Sequence, residues 1–268
     1  YENALQTAVP PDSIPRLQRL AQMGFSLSTT LDGTRTLHDG LRGRGSYDRV
    51  QQTLAALEGQ MGFIITATAR HLGHEAALIA EAERAGLWQF HCNPCIHPDA
   101  ALGLTSDTYL QFYSRLMNAW LARKLAPPRP YTLAYAVAAC SAGSEPMESL
   151  CTMGGRCLSN FVAVTPRGEL YPCPKFSGVE STRLGTLSDT TLAEALDPQS
   201  GVMRELLSMR GKTLKAWSER CPHFEYLNGC CPWESLQNGG LDHPSVLCEG
   251  KQKLFQYVDA LCQVIGAE

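Results

Sequence analysis

The sequence predicts an α/β fold of parallel strands, followed by a small cysteine-rich region with a β-hairpin and a C-terminal helix. Three observations predict it. Strand-like and helical patterns alternate through the first half of the chain, as βαβ units require. After about residue 140 helical periodicity fades and cysteine density rises. Pro166-Arg167-Gly168 then separates two short β-rich runs, with glycine at the turn. A chain of 268 residues can bury a core without staples, so its 11 cysteines need a chemical reason.

Each element has a local cause. Asp12 or Ser13 caps a first helix with Pro15 in its first turn; Ile14, Leu17, Leu20 and Met23 share one face, and Gly24 stops it. Phe25 to Leu31 is β-rich. Ser46 caps a helix with the stripe Tyr47, Val50, Leu54 and Leu57, and Phe63 to Ala69 reads as a buried strand. A helix from about Glu75 to Ala85 ends at Gly86, Leu87 to His91 is strand-like, and Ser106 to Leu121 is a long helix carrying Leu110, Tyr113, Leu116 and Trp120. Tyr131 to Val137 alternates as a strand. These units fit either a doubly wound sheet or part of a barrel, about half of one. In the second region, Phe161 to Val164 and Glu169 to Tyr171 form the hairpin. A terminal helix from about Lys251 to Val264 buries Leu254, Phe255, Val258 and Leu261. The division into domains is expected at 1–139 and 140–268.

Charge and composition exclude several classes. Lys plus Arg at 23 against Asp plus Glu at 26 gives −3, which argues against a general polyanion binder, nucleic acid included. No apolar run approaches the roughly 18 residues of a membrane span, and no signal segment opens the chain, so a cytoplasmic protein is expected. An odd cysteine count in a chain this long is unlike a secreted disulfide framework and points to metal ligands. The chain opens at Tyr1 in mid-pattern, and residues upstream of it are expected.

The cysteines fall into groups. Cys151, Cys157 and Cys173 are spaced C-x5-C-x15-C with the hairpin between the last two, and the returning hairpin can bring Cys173 to the others. Convergence of that kind is what an iron–sulfur cluster or another metal site needs. Cys221, Cys230, Cys231 and Cys248 follow. Structural zinc prefers close C-x2-to-4-C knuckles, and only Cys92-Asn93-Pro94-Cys95 has that form, with no matching second pair. Cys140 and Cys262 read as structural thiols, Cys262 on the core side of the terminal helix. His71, His74, His91 and His97 cluster near expected strand ends, where a histidine is more often a hydrogen-bonded structural residue than a catalytic one.

The run Cys157, ten residues, Gly168, four residues, Cys173, then Cys221, Cys231 and Cys248, resembles the SPASM cluster-binding domain of radical S-adenosylmethionine (radical SAM) maturases. The anaerobic sulfatase-maturating enzymes are the group it is most similar to. Upstream, Ser28-Thr29-Thr30-Leu31-Asp32-Gly33, Leu37-His38-Asp39, Arg42 and Gly43-Arg44-Gly45-Ser46-Tyr47-Asp48 are similar to a strand and loop midway round the partial barrel of these enzymes.

The resemblance implies a partial (β/α) barrel followed by a SPASM domain, and a peptide or protein side chain as substrate. The activity it implies begins with reductive cleavage of S-adenosylmethionine, fed by an electron donor such as a flavodoxin or ferredoxin. It also implies ligands. Cys151, Cys157, Cys173 and Cys231 match one complete auxiliary 4Fe–4S site, which would carry electrons or position substrate. The second site matches Ser218, Cys221, Leu227 and Cys248, two of which are not ligands; Cys230 is close enough in sequence to stand in for one. Thr30 lies where the family approaches the S-adenosylmethionine ribose, and Arg42 could meet its carboxylate. Tyr171 and Trp233 would shield the metal from water. Asp32-Gly33 reads as the turn after the strand.

Two departures qualify the match. The C-x3-C-x2-C motif that leaves one iron open to S-adenosylmethionine does not occur in these residues and would have to lie upstream of Tyr1. Pro174 stands where sulfatase maturases carry an Asp proposed as general base, and proline accepts no proton, so cyclophane or thioether formation suits the chain better than sulfatase maturation. The alternative is a catalytically inactive SPASM-type subunit that binds a peptide or a partner.

Overall fold

The structure is a computed structural model that describes residues 4–8, 12–141, 151–153, 157–199 and 201–265. The chain divides into two compact units, Tyr1–Pro146 with Lys253–Glu268, and Met147–Gln252. The sequence placed the division at 139/140 and the whole terminal helix in the second part.

The first unit runs β1 (Ala4–Gln6), α1 (Ile14–Gln22), β2 (Ser26–Thr30), α2 (Arg35–Arg42), α3 (Ser46–Ala56), β3 (Met61–Ala67), α4 (Glu75–Arg84), β4 (Gln89–Pro94), α5 (Ser106–Leu121), β5 (Arg129–Pro130) and α6 (Tyr131–Cys140). All five strands are parallel and pair in chain order. That order has no switch point, so the sheet is a barrel wall and not a doubly wound sheet. Alternation makes β3: Met61, Phe63, Ile65 and Ala67 are buried between less buried neighbours. Helix α5 opens on a capping box, Thr105 with Thr108, and buries Tyr109, Phe112, Tyr113, Leu116, Met117 and Trp120. Tyr113 ties it to the sheet by donating to the Cys92 carbonyl at 2.6 Å.

Tyr131 to Val137, expected as a strand, is helix α6. Its buried residues, Thr132, Leu133, Tyr135 and Ala136, follow helical spacing, and alanines at 134, 136, 138 and 139 favour the helix. The apolar residues at odd positions only mimicked a strand period; the strand that pairs with β4 here is the preceding Arg129–Pro130.

The second unit holds an antiparallel sheet of β6 (Ala163–Val164), β7 (Glu169–Tyr171) and β8 (Gly185–Thr186), with α7 (Leu192–Ala195), α8 (Gly201–Ser218), α9 (Phe224–Leu227) and α10 (Pro232–Leu236). The hairpin pairs Ala163 with Tyr171 and Val164 with Leu170 around Gly168, whose φ of +80° the turn requires. Leu158, Tyr171, Phe176, Leu206 and Leu241 form its core. Helix α8 escapes sequence reading because its buried stripe, Met203, Leu206, Arg210 and Thr213, is half polar. Helix α11 (Cys248–Ile265) begins before the expected Lys251. Leu254, Phe255 and Val258 are buried as expected, whereas Leu261 and Cys262 are only half-buried. Within the first unit Phe255 meets Tyr135 edge-on, and its carbonyl accepts from the Cys140 thiol at 3.8 Å. Among the described residues no helix is long and apolar enough to cross a membrane.

Candidate functional site: a strand-end cleft and two sets of thiols

In the first unit the site is organised by Asp32, just past β2 and fully buried. Its carboxylate accepts from the Thr66 backbone N–H on β3 and from Arg42 Nε of α2, each at 2.7 Å. Arg42 Nη2 also donates to Thr66 Oγ1 at 3.1 Å. The Asp32 backbone is held as well: its N–H donates to His38 Nδ1 at 3.0 Å, and its carbonyl lies 3.2 Å from His71 Nε2. Thr68 N–H donates to His71 Nδ1, which leaves the proton on Nε2 to reach the Asp32 carbonyl. Burial, only partly offset by the Asp32 charge, holds both imidazoles below their ordinary value, so both stand neutral as supports for the loop. Asp32 is thus far more than the turn residue that the sequence suggested.

A cleft of about 320 Å³ opens beside these groups, lined among others by Thr29, Thr30, His38, Arg42, Ser46 and Arg49. Thr30 and Arg42 therefore share one polar, guanidinium-bearing wall. The glycine-rich loop that leads into α3 is shaped by Asp39, which accepts from Gly45 N–H at 2.9 Å and Tyr47 N–H at 2.8 Å. Those backbone bonds hold its carboxyl below the usual range. The other histidines are dispersed: His74 and His97 are exposed, and His91 stacks on Tyr131 with ring centroids 4.6 Å apart. Cys92 is buried on β4, where burial raises its thiol, and Cys95 lies just past the strand end near Arg42 and Asp32.

In the second unit, Cys151 and Cys157 open short 3₁₀ turns, Cys173 follows β7, and Cys231 caps α10. Cys231, Cys151 and Cys173 all lie near enough to Cys157 for their charges to act on it, with Cys151 exposed and Cys231 buried. Burial, then the proximity of Cys231, Cys151 and Cys173, pushes the Cys157 thiol up to about 12. Cys173 is likewise raised by burial and by Cys151, against a bond from the Lys175 N–H. Cys231 is raised by burial and Glu234, against the opposing charges of Lys175 and Lys251. Tyr171 is buried in the adjoining core, and Trp233 packs edge-on against Phe176.

Cys221, Cys230 and Cys248 form a separate set around a small apolar cavity with Trp217, Phe224 and Leu227. A hydrogen bond from Cys230 lowers the Cys248 thiol to about 7 and raises Cys230. Leu227 is an apolar wall of this cavity, while the Ser218 hydroxyl is exposed and donates to the Lys215 carbonyl, so neither supplies a ligand.

The charge around the sulfurs discriminates among ligands. Among the described residues of this unit Arg210 and Lys251 are buried, with Glu234 as the one buried carboxylate, and Lys175 is half-buried. Buried charge must be compensated, and thiolates on an anionic cluster supply what one carboxylate does not. Among the described residues no three His, Cys, Asp or Glu side chains close round a single ion. A mononuclear site draws its sulfurs to about 2.3 Å from one metal, whereas a cluster spreads them over separate irons. An all-sulfur donor set around Cys157, with cations nearby, is of the kind that a 4Fe–4S cluster takes. Sequence reading missed Glu234, Lys251 and Arg210, because lone charged residues in amphipathic segments read as solvated.

No family model matches the chain, and no curated protein matches it significantly. Among solved structures, the anaerobic sulfatase-maturating enzyme anSMEcpe, a radical SAM/SPASM protein with bound AdoMet and a Cp18Cys peptide, aligns at TM-score 0.80 and 18% identity, over 98% of this chain and 76% of that one. A hexahistidine-tagged form of anSMEcpe with bound AdoMet aligns at TM-score 0.81 and 18% identity, over 98% and 71%. Streptococcus suis SuiB bound to S-adenosylmethionine aligns at TM-score 0.59 and 12% identity, over 92% and 60%. The chain therefore has the α/β fold of these proteins, a five-stranded parallel sheet with helices and a cysteine-rich region with a small antiparallel sheet.

Proposed function

We propose that the chain is part of a cytoplasmic radical SAM enzyme that modifies a peptide or protein side chain. The convergence of Cys151, Cys157, Cys173 and Cys231 among buried cations carries this reading. It is supported by a fold shared with proteins solved with AdoMet, one of them with a peptide as well. When bound, S-adenosylmethionine supplies a radical able to abstract hydrogen, and a 4Fe–4S cluster on the four thiolates supplies an electron acceptor or a fixed point for substrate.

The chain's own residues do the rest. Asp32 fixes Arg42 by a charge-assisted bond, so the guanidinium is pre-aimed along the cleft where an amino-acid carboxylate can meet it. The Thr30 hydroxyl offers a partner for a ribose. His38 and His71 hold the loop and, being neutral, leave the charge of the cleft to Arg42 and Arg49. Pro174 holds no proton, so the reading excludes sulfatase maturation by a base at that position. A cyclophane or thioether on a ribosomal peptide fits better.

The proposal places the C-x3-C-x2-C segment upstream of Tyr1 and draws electrons from a flavodoxin or ferredoxin. One rival reading is an inactive peptide-binding subunit. Co-purification of the full polypeptide with a short precursor peptide separates the two. A change in the peptide's mass that depends on S-adenosylmethionine supports the enzyme. A peptide that is bound and returned unchanged by protein with all its clusters supports the rival.

A further inference from the structure

Lys251 and Glu234 form an ion pair inside the second unit, with side chains 0% and 1% exposed and Nζ 2.6 Å from Oε2. The same ammonium donates to the Thr152 carbonyl at 2.7 Å, and Ser245 Oγ donates to the same carboxylate oxygen. Every member is tied to a cysteine. Thr152 follows Cys151, Glu234 lies three residues past Cys231 at the start of α10, and Lys251 lies three past Cys248 at the start of α11. The Glu234 backbone N–H also donates to the Cys231 sulfur, and its second carboxylate oxygen, Oε1, is buried with no hydrogen-bond partner among the described residues. Arg210 of α8 completes the frame by donating to the carbonyls of Gly229 and Cys230, both at 2.6 Å, and to Ser235 Oγ at 3.0 Å.

A buried ion pair of this kind is a weak device for stability, since an apolar replacement of similar volume is often as good. Its placement gives it another use. Three segments that bear cysteines meet at one ammonium, and among the described residues the buried cations around the thiols outnumber the buried carboxylate. A fixed positive charge beside a cluster favours the state that carries the extra electron, and charge is one of the levers that set cluster potentials.

We propose that Lys251 is a positioning residue for the auxiliary cluster: Glu234 clamps it against the Thr152 carbonyl, so that its charge stands fixed where the segments bearing Cys151 and Cys231 meet and stabilises the reduced cluster. The inference rests on the proposed cluster at those thiolates and adds a residue that tunes it.

The experiment is an anaerobic redox titration of the reconstituted chain, followed by electron paramagnetic resonance, with iron and sulfide measured on each sample. Lys251→Met keeps the volume and removes the charge. It should retain iron and sulfide while the midpoint moves negative, raising the oxidised-to-reduced ratio at fixed poise about tenfold, which is ~59 mV for a one-electron couple. Glu234→Gln removes the opposing charge and should move the midpoint positive, and Lys251→Arg should stay near wild type. A pair that only held the fold would shift both neutral variants alike or neither. Loaded variants with unmoved midpoints, or with shifts of one sign, overturn the proposal. If Lys251→Met fails to load, a positive shift in Glu234→Gln together with a wild-type midpoint in Lys251→Arg sustains it, and any other result in those two overturns it. Wild-type protein that takes up no iron and sulfide overturns the cluster itself, a separate outcome.

Discussion

The Asp32–Arg42 pair makes an asymmetric prediction. The Asp32 side chain is 1% exposed, whereas that of Arg42 is 42% exposed. Arg42→Gln therefore strands a buried carboxylate that keeps only its bond from the Thr66 amide. Stranding a fully buried charge costs about 3–5 kcal/mol; water that reaches the vacated arginine position lowers this, and about 2–3 kcal/mol is expected. Asp32→Asn leaves the guanidinium to solvent and preserves an oxygen for the Thr66 N–H. It exchanges charge-assisted bonds for a neutral one, about 1 kcal/mol. The double variant removes the stranded charge and should be less destabilised than Arg42→Gln alone. Urea denaturation, with native-state hydrogen exchange at the Thr66 amide as the local reporter, measures all three. An Arg42→Gln cost under about 0.5 kcal/mol, as for an exposed ion pair, or strict additivity in the double variant, would refute the view that Asp32 is a buried anchor.

Other outcomes follow from the same geometry. A Cβ on Gly103 would come 2.2 Å from the His97 carbonyl oxygen, so Gly103→Ala must push backbone apart and should cost about 1–3 kcal/mol, read as a lower Tm. Phe112 is fully buried edge-on to Tyr113 and His71, and Phe112→Ala should cost about 3–5 kcal/mol in the same assay. His38 and His71 have folded values below the ordinary 6.5, so the folded chain binds fewer protons than the unfolded one. Their contribution is complete above pH 6.5 and is lost as the pH falls below it through the folded values. Denaturation midpoints of wild type should fall from pH 7 toward pH 5, and His38→Asn should flatten that slope; an equal slope in the variant contradicts the assignment.

The barrel wall was legible because its helices and strands carry clean periods. The β3 alternation and the α5 stripe each follow from one face meeting a core. Helix α6 was misread because alternate apolar residues overlaid a helical pattern, and α2 was missed because its one buried residue is His38. The cysteine spacing, with a glycine hairpin between Cys157 and Cys173, pointed to a meeting of Cys151, Cys157 and Cys173, and Cys231 joined them only through the family resemblance. What spacing could not reveal was charge: Asp32 reads as a turn, and Glu234 and Lys251 read as solvated, until packing brings each to a buried partner. The second set of thiols, Cys221, Cys230 and Cys248, borders a small, largely apolar cavity whose walls, Phe224 and Leu227 among them, no cysteine spacing could announce.

Iron and acid-labile sulfide in the anaerobically reconstituted chain test the central claim most directly, with Cys157→Ala beside it. The account predicts about four irons and four sulfides per chain held by Cys151, Cys157, Cys173 and Cys231, and their loss in the variant, together with destabilisation of the hairpin region because metal binding and folding are coupled. Zinc in place of iron and sulfide, or a full cluster in the variant, would contradict it.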